Sequence, residues 1–183
     1  LPIYKKILSI KTLIEKEIEI IEKLKSYNIQ FNDSIKNIQI LKSEIEHVRQ
    51  YLFIQQQRYG DQLNYRIEEL ASYDDYLVPK LILQPLVENA IYHGIKEVSR
   101  PGEIRLRVYE DDHHLVISVY DNGQGFDSIM KEEARDKLVR QGGIGLSNVD
   151  KRLKLQFGEA YHMEWESQPD QFTEIRLYLP LNL

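Results

Sequence analysis

Up to Leu52, apolar residues recur every three or four positions. They fall at Ile7, Ile10, Ile14, Ile18, Ile21 and Leu24, and again at Ile38, Leu41, Ile45, Val48 and Leu52. This spacing puts one apolar stripe on each of two long helices, close to a coiled-coil seam. The mostly polar break between them, residues 26–34, supplies Asn, Asp and Ser as helix caps. Two helices cannot enclose a core, so the seam needs a cover: the rest of the chain, or a second copy completing a four-helix bundle. A homodimer through the N-terminal helices is the expectation, because the remainder carries enough apolar pattern for its own core. The expected division is a helical region at 1–57 and a mixed domain at 58–183.

The pattern changes at Tyr59-Gly60-Asp61; no glycine precedes Gly60, and Pro2 is the only earlier proline. Leu63 to Ile67 alternates as a short strand. Val78 to His93 reads as a helix, with Pro79 at its start and Pro85 as a kink. Ile104, Leu106 and Val108 alternate with Glu103, Arg105 and Arg107, the mark of a strand with one solvated face. Asp111-Asp112 is the turn into a returning strand, His114 to Tyr120. A helix is expected over Leu146 to Phe157, then strands at His162–Ser167 and Phe172–Leu179. Strands and helices do not alternate regularly, which indicates an α+β fold: a mixed sheet covered by helices on one face.

Composition narrows the function. Of 183 residues, 24 are Lys or Arg and 29 are Asp or Glu, a net charge of −5. No global basic field exists for nucleic acid, and no nucleic-acid partner is expected. Cysteine is absent, which removes disulfides, zinc–thiolate sites and thiol nucleophiles. No apolar run approaches the roughly 18–20 residues of a membrane-spanning helix, so any membrane segment is expected elsewhere in a longer parent. The chain starts Leu1-Pro2-Ile3 without an initiator Met or a signal peptide, and an excised piece is expected.

Three clusters carry candidate chemistry. In Gln84-Pro85-Leu86-Val87-Glu88-Asn89-Ala90-Ile91-Tyr92-His93-Gly94, a helix puts Asn89 and His93 on one face with Glu88 beside them. An amide oxygen can ligate Mg²⁺, a carboxylate can act as base and an imidazole can meet phosphate; equally, this is a polar face meeting solvent. In Asp121-Asn122-Gly123-Gln124-Gly125-Phe126, alternate glycines let backbone approach a ligand, and the carboxylate can accept from an amino group; a plain β-turn is the alternative. Gln141-Gly142-Gly143-Ile144-Gly145-Leu146 opens a helix whose N–H groups suit an anion, but it is neither a Walker loop nor a Rossmann fingerprint. His113, His114 and His162 read as surface residues, with no metal site at ligand spacing.

In this order the clusters resemble the N, G1 and G2 boxes of the GHKL ATP-binding superfamily. From Glu44 to Pro180 the chain is similar to the C-terminal part of YesM/LytS-like bacterial sensor histidine kinases. That likeness rests on residues 46–52, 55–59 and 78–90, Gly145-Leu146-Ser147-Asn148-Val149 and Arg152-Leu153. The resemblance implies a Bergerat-type α/β sandwich that binds ATP or ADP with Mg²⁺. Carried over residue by residue, Asn89 ligates Mg²⁺, Glu88 activates the nucleophile and His93 meets phosphate. Asp121 holds the adenine amino group, with room from Gly123 and Gly125. Gly143, Gly145 and Leu146 line the triphosphate, Thr173 helps hold adenine through water, and Ser128 to Gln141 forms a lid.

The implied parent is a dimeric two-component sensor kinase, membrane-anchored with this region in the cytoplasm. It transfers the γ-phosphoryl group of ATP to a histidine and then to a response regulator receiver domain. The family's acceptor motif, Pro-His-Phe-Leu-Phe/Tyr-Asn, is missing, since Leu1 to Gln39 holds no histidine. The N-terminal segment is either a truncated or replaced helix, or that of a divergent relative. The chain itself is therefore not expected to autophosphorylate at the usual site; His47, the first histidine, reads as a partly exposed helix residue. A nucleotide-gated, non-catalytic signalling scaffold is the alternative function.

Overall fold

The computed structural model describes residues 38–111, 113–126 and 143–181, with residues 15, 18, 19, 21 and 22. The chain divides into two compact units, residues 1–38 and 39–183. In the first, Glu15, Ile18, Glu19, Ile21 and Glu22 are helical, and Ile18 and Ile21 are half exposed. The other stripe positions from Ile7 to Leu24, and the polar break, lie outside the described residues.

β1 (Ile38–Ile40) falls at the division, and α1 (Leu41–Tyr59) follows it in the second unit. Ile38, expected on a helix, is extended instead, because β1 pairs with β3 (Leu77–Pro79) and the helix begins only at Leu41. One stripe of α1 is closed off from water: Leu41, Ile45, Val48 and Leu52 are all nearly fully buried. These side chains join the same core as the sheet and the later helices. The compact unit thus begins at Gln39, ahead of α1.

Five strands make the main sheet: β2 (Leu63–Glu69), β4 (Gly102–Glu110), β5 (His114–Asp121), β6 (His162–Gln168) and β7 (Phe172–Pro180). Their order is β2-β4-β5-β7-β6; β2 runs parallel to β4 and the other neighbours are antiparallel. The sheet is mixed, as the irregular succession of elements predicts. Period-2 alternation gives each strand an apolar face, and Ile104, Leu106, Val108, Leu115, Ile117, Ile175, Leu177 and Leu179 point inward to the helices. The opposite face carries ion pairs such as Arg107 Nε with Glu68 Oε2 at 3.2 Å and Arg176 with Glu166 at 3.1 Å. Burying one face at about 25 cal/mol per Å² of apolar area provides the main driving force for assembly.

Between β3 and β4 lies α2 (Gln84–Asn89), which continues through a wide π-type turn at Ala90–Gly94 and a tight turn at Ile95–Glu97. This corrects the single helix expected over Val78 to His93. Val78 and Pro79 end a strand, and Pro85 sits in the first turn of α2, where its missing N–H disturbs no helical bond. Proline here starts the helix and does not kink it. The last helix, α3 (Gly143–Phe157), buries Leu146, Val149, Leu153 and Phe157 against the sheet. The α+β layering is the one the sequence predicts.

Candidate functional site

Asp121 ends β5 and is 3% exposed. Its Oδ1 accepts the backbone N–H of Gly123 at 2.9 Å, the bond of a tight carboxylate turn. Burial outweighs that bond and pushes the carboxyl up to about 7. The described residues give this carboxyl no cationic partner, so an acceptor group is held at the mouth of the helix–sheet interface with little compensation.

Two glycine contacts join the first cluster to the second. A Cβ at Gly94 would run into the Asp121 carboxyl group, and a Cβ at Gly123 would run into the Gly94 backbone. The wide turn after α2 thus rests directly on the loop after β5. Gln124 fastens the contact: its N–H donates to the Gly94 carbonyl at 3.1 Å, and its side-chain amide donates to the His93 carbonyl. π-type turns of this kind are frequent at functional sites.

Gly125 needs its glycine for a different reason. Its φ is +56°, and a Cβ there would press on the carbonyl oxygens of Gln168 and Phe172 in the β6–β7 turn. Beside it Ser167 Oγ accepts the Phe126 N–H at 2.9 Å, donates to Phe172 O and lies 3.1 Å from Thr173 Oγ1. Thr173 faces Asp121 directly across the β5–β7 ladder and is buried with it. The structure therefore brings Asp121, Gly123, Gly125 and Thr173 together at one sheet end.

Glu88 and Asn89 sit half-buried at the end of α2, immediately before the turn that reaches Asp121. Gln84 Nε2 donates to Glu88 Oε1 at 2.8 Å and fixes the carboxylate along the helix. The Tyr51 phenol on α1 is shifted upward first by burial, then by Tyr92, which is hydrogen-bonded to it, and by the nearby Glu88 carboxylate. A position on α1 therefore senses the charge of Glu88. The His93 side chain is exposed, and it is the His93 carbonyl that joins the loop.

Of the third cluster, Gly143 begins α3, and Leu146 is buried. Gly145 packs so close to Pro85 that a Cβ would stand 3.2 Å from the proline ring. The start of α3 therefore lies against the start of α2. Gln141, Gly142 and the lid expected at Ser128–Gln141 lie outside the described residues.

Three site residues were not singled out from sequence. Gly94 is legible only once its contact with Asp121 is seen. Glu44 sits beside the α1 stripe, where a charge among apolar positions was the available signal. Arg100 gave none: its Nη2 donates to the carbonyls of Asn122, Gly123 and Asp170 at 2.6, 2.9 and 2.8 Å, pinning the loop after Asp121 from behind.

The donor set suits a magnesium nucleotide: an amide oxygen and a carboxylate on one helix, a buried acceptor, and the start of α3 packed against the start of α2. Among the described residues there is no group of three or more His, Cys, Asp or Glu that could hold a metal unaided.

Residues 74–183 match the model of the histidine kinase-, DNA gyrase B- and HSP90-like ATPases. The chain is 36% identical over 156 residues to the sensor histidine kinase YpdA of Escherichia coli K12, covering 84% of this chain and 26% of that protein. It is 34% identical over 145 residues to the sensor histidine kinase YesM of Bacillus subtilis, covering 79% and 24%. The chain thus spans about a quarter of the length of these curated relatives. Among solved structures, the catalytic domain of histidine kinase ThkA superposes with a TM-score of 0.55 at 18% identity, over 78% of this chain and 93% of that one. The Acinetobacter baumannii histidine kinase AdeS gives 0.57 at 13%, over 92% and 82%. These last two likenesses concern the fold.

Proposed function

The chain belongs to the histidine kinase-, DNA gyrase B- and HSP90-like ATPase family, and we propose that it is the ATP-binding catalytic region of a two-component sensor histidine kinase. The observation that carries this reading is the buried Asp121 carboxyl, wedged between Gly94 and Gly123 with Thr173 opposite. A buried carboxyl held by a single backbone N–H is costly and is retained where a ligand donor completes it. An adenine amino group is such a donor.

In this reading Asp121 and Thr173 hold the base, while Gly123 and Gly125 keep the loop slim enough to admit it. Gly143, Gly145 and Leu146 present the α3 start to the phosphates. Asn89 supplies an amide oxygen to Mg²⁺, and His93 lies within reach of phosphate. Bound Mg²⁺–ATP supplies the phosphoryl group and neutralises its charge. Glu88, oriented by Gln84, accepts the proton of the attacking imidazole and keeps its lone pair aimed in line.

The parent protein would be a homodimer through its N-terminal helices. It would be membrane-anchored by segments outside this chain and would pass phosphate from a histidine to a receiver-domain aspartate. Among the described residues no helix is long and apolar enough to cross a membrane.

The test is calorimetric titration with ADP and an unhydrolysable ATP analogue, with and without Mg²⁺, beside an Asp121→Asn variant. Binding by the natural chain and its loss in the variant is the expected result. A natural chain that binds neither nucleotide overturns the proposal.

A further inference from the structure

A cavity is lined by residues of the α2 turn and the segment after it, with no residue of the Asp121 loop in its lining. Its volume is about 180 Å³, and it opens between the end of α1, the start of β2 and the segment leading into β4. Leu63, Ile91, Ile95 and Val98 line its apolar part, the first three of them buried. Tyr59, Gln62, Lys96 and Arg100 complete the lining. Among the described side chains, the lining holds two cations and no acid. Lys96 is partly held in place, its ammonium 5.5 Å from the Tyr92 ring centroid.

Size and chemistry together limit the occupant. A cavity of about 150 Å³ holds benzene, so the space here suits a body of similar bulk. Its apolar floor needs no polar partner, whereas Lys96 and Arg100, both exposed, offer two positive charges to an anion. Arg100 bonds the three carbonyls of the Asp121 loop through Nη2 alone; among the described residues no bond is assigned to its Nε or Nη1. With Nη2 committed to the loop, Arg100 can offer a carboxylate oxygen one charge-assisted bond from Nε or Nη1.

We propose that this cavity is a binding site for a small carboxylate with a branched aliphatic or aromatic body. The body fills the space over Ile91, Ile95 and Val98, and the carboxylate bridges Lys96 and Arg100. Because Arg100 also pins Asn122 and Gly123, occupancy is transmitted to the loop after Asp121. The site is separate from the nucleotide reading and does not depend on it.

The test is an amide chemical-shift titration of the full chain, without nucleotide, using 4-methylpentanoate and phenylacetate, beside 4-methylpentanamide and phenylacetamide. Shifts at Lys96, Val98 and Arg100, with a concerted shift at Gly123, are expected for the acids. The neutral amides should bind at least about tenfold more weakly, the loss of one charge-assisted pair. Lys96→Gln should weaken the acids selectively, whereas Val98→Phe, which fills the floor and leaves both cations, should abolish binding while the melting transition persists. Absence of shifts at these residues through a millimolar titration overturns the proposal, as does equal binding of acids and amides. Acid binding with no response at Gly123 overturns the transmission through Arg100.

Discussion

The carboxylate of Glu44 on α1 accepts the backbone N–H of Leu83, 39 residues later, at 3.1 Å. The same group takes the N–H of Ile82 at 3.0 Å and that of Leu81, and it receives the side-chain amide of Gln39. These donors lie just ahead of α2, so α1 supplies the cap that the residues before the helix do not, since no side chain of its own N-cap residue bonds it. Leu81, held by this carboxylate, adopts a left-handed φ of +57°. The helix bearing Glu88 and Asn89 is thus anchored at its start by a residue of α1.

Glu44→Ala leaves buried N–H groups unpaired at a 2% exposed site. A loss of about 3 kcal/mol is expected, against about 1 kcal/mol for Glu44→Gln, which keeps an acceptor. Urea denaturation of both variants checks this; equal, small losses would mean water replaces the carboxylate.

Leu52 is fully buried on α1 in the common core. Leu52→Ala should cost about 3 kcal/mol through the cavity it leaves. Trp165, the single tryptophan, packs on the same core from β6. Its fluorescence and far-ultraviolet dichroism should therefore lose structure at one denaturant concentration. Two separated transitions would show α1 unfolding independently of the sheet.

Asp121 gives stability a distinct pH dependence. Its carboxyl is raised from 3.8 to about 7 in the folded chain by burial. Across that window the native state holds a proton that the unfolded state has released, so stability falls as pH rises. Below about 4 both states are protonated, and above about 7 the full cost of ionising a buried group is present. The natural chain should lose more stability than Asp121→Asn between about pH 5 and about pH 8. Parallel profiles for the two proteins in guanidinium titrations would contradict the assignment.

Gly94→Ala should weaken nucleotide binding by at least about tenfold, because its methyl group displaces the Asp121 carboxyl. Dichroism should stay near that of the natural chain, since the clash is confined to the turn. Calorimetry with ADP measures the loss; unchanged affinity would place the adenine elsewhere.

Incubated with Mg²⁺ and labelled ATP, the chain should retain no acid-labile phosphate, because no histidine occurs in residues 1–39. Acid-labile label that His47→Gln removes would instead make His47 an acceptor.

Local pattern made much of this protein legible. The alternation of Ile104, Leu106 and Val108 defines β4 without any knowledge of its neighbours, because strand periodicity is a property of the chain itself. Asp121, Gly123 and Gly125 were visible because turn chemistry demands those residue types in order. The stripe of α1 was visible too, but not what covers it: the same spacing serves a second copy or the chain's own sheet. The structure decides for the sheet, whose inner face takes Leu41, Ile45, Val48 and Leu52.

What periodicity misread is equally instructive. Val78 and Pro79 carry the apolar residues of a helix start, yet pairing with β1 makes them a strand. The sequence determined which segments are apolar on one side and where the chain turns, since these follow from neighbours a few residues apart. Only the tertiary structure decided that Glu44 caps the helix before Glu88, that Gly94 touches Asp121 and that Arg100 pins the loop behind it. Each of those contacts joins residues more than twenty positions apart, and such pairs meet only after the whole core has closed.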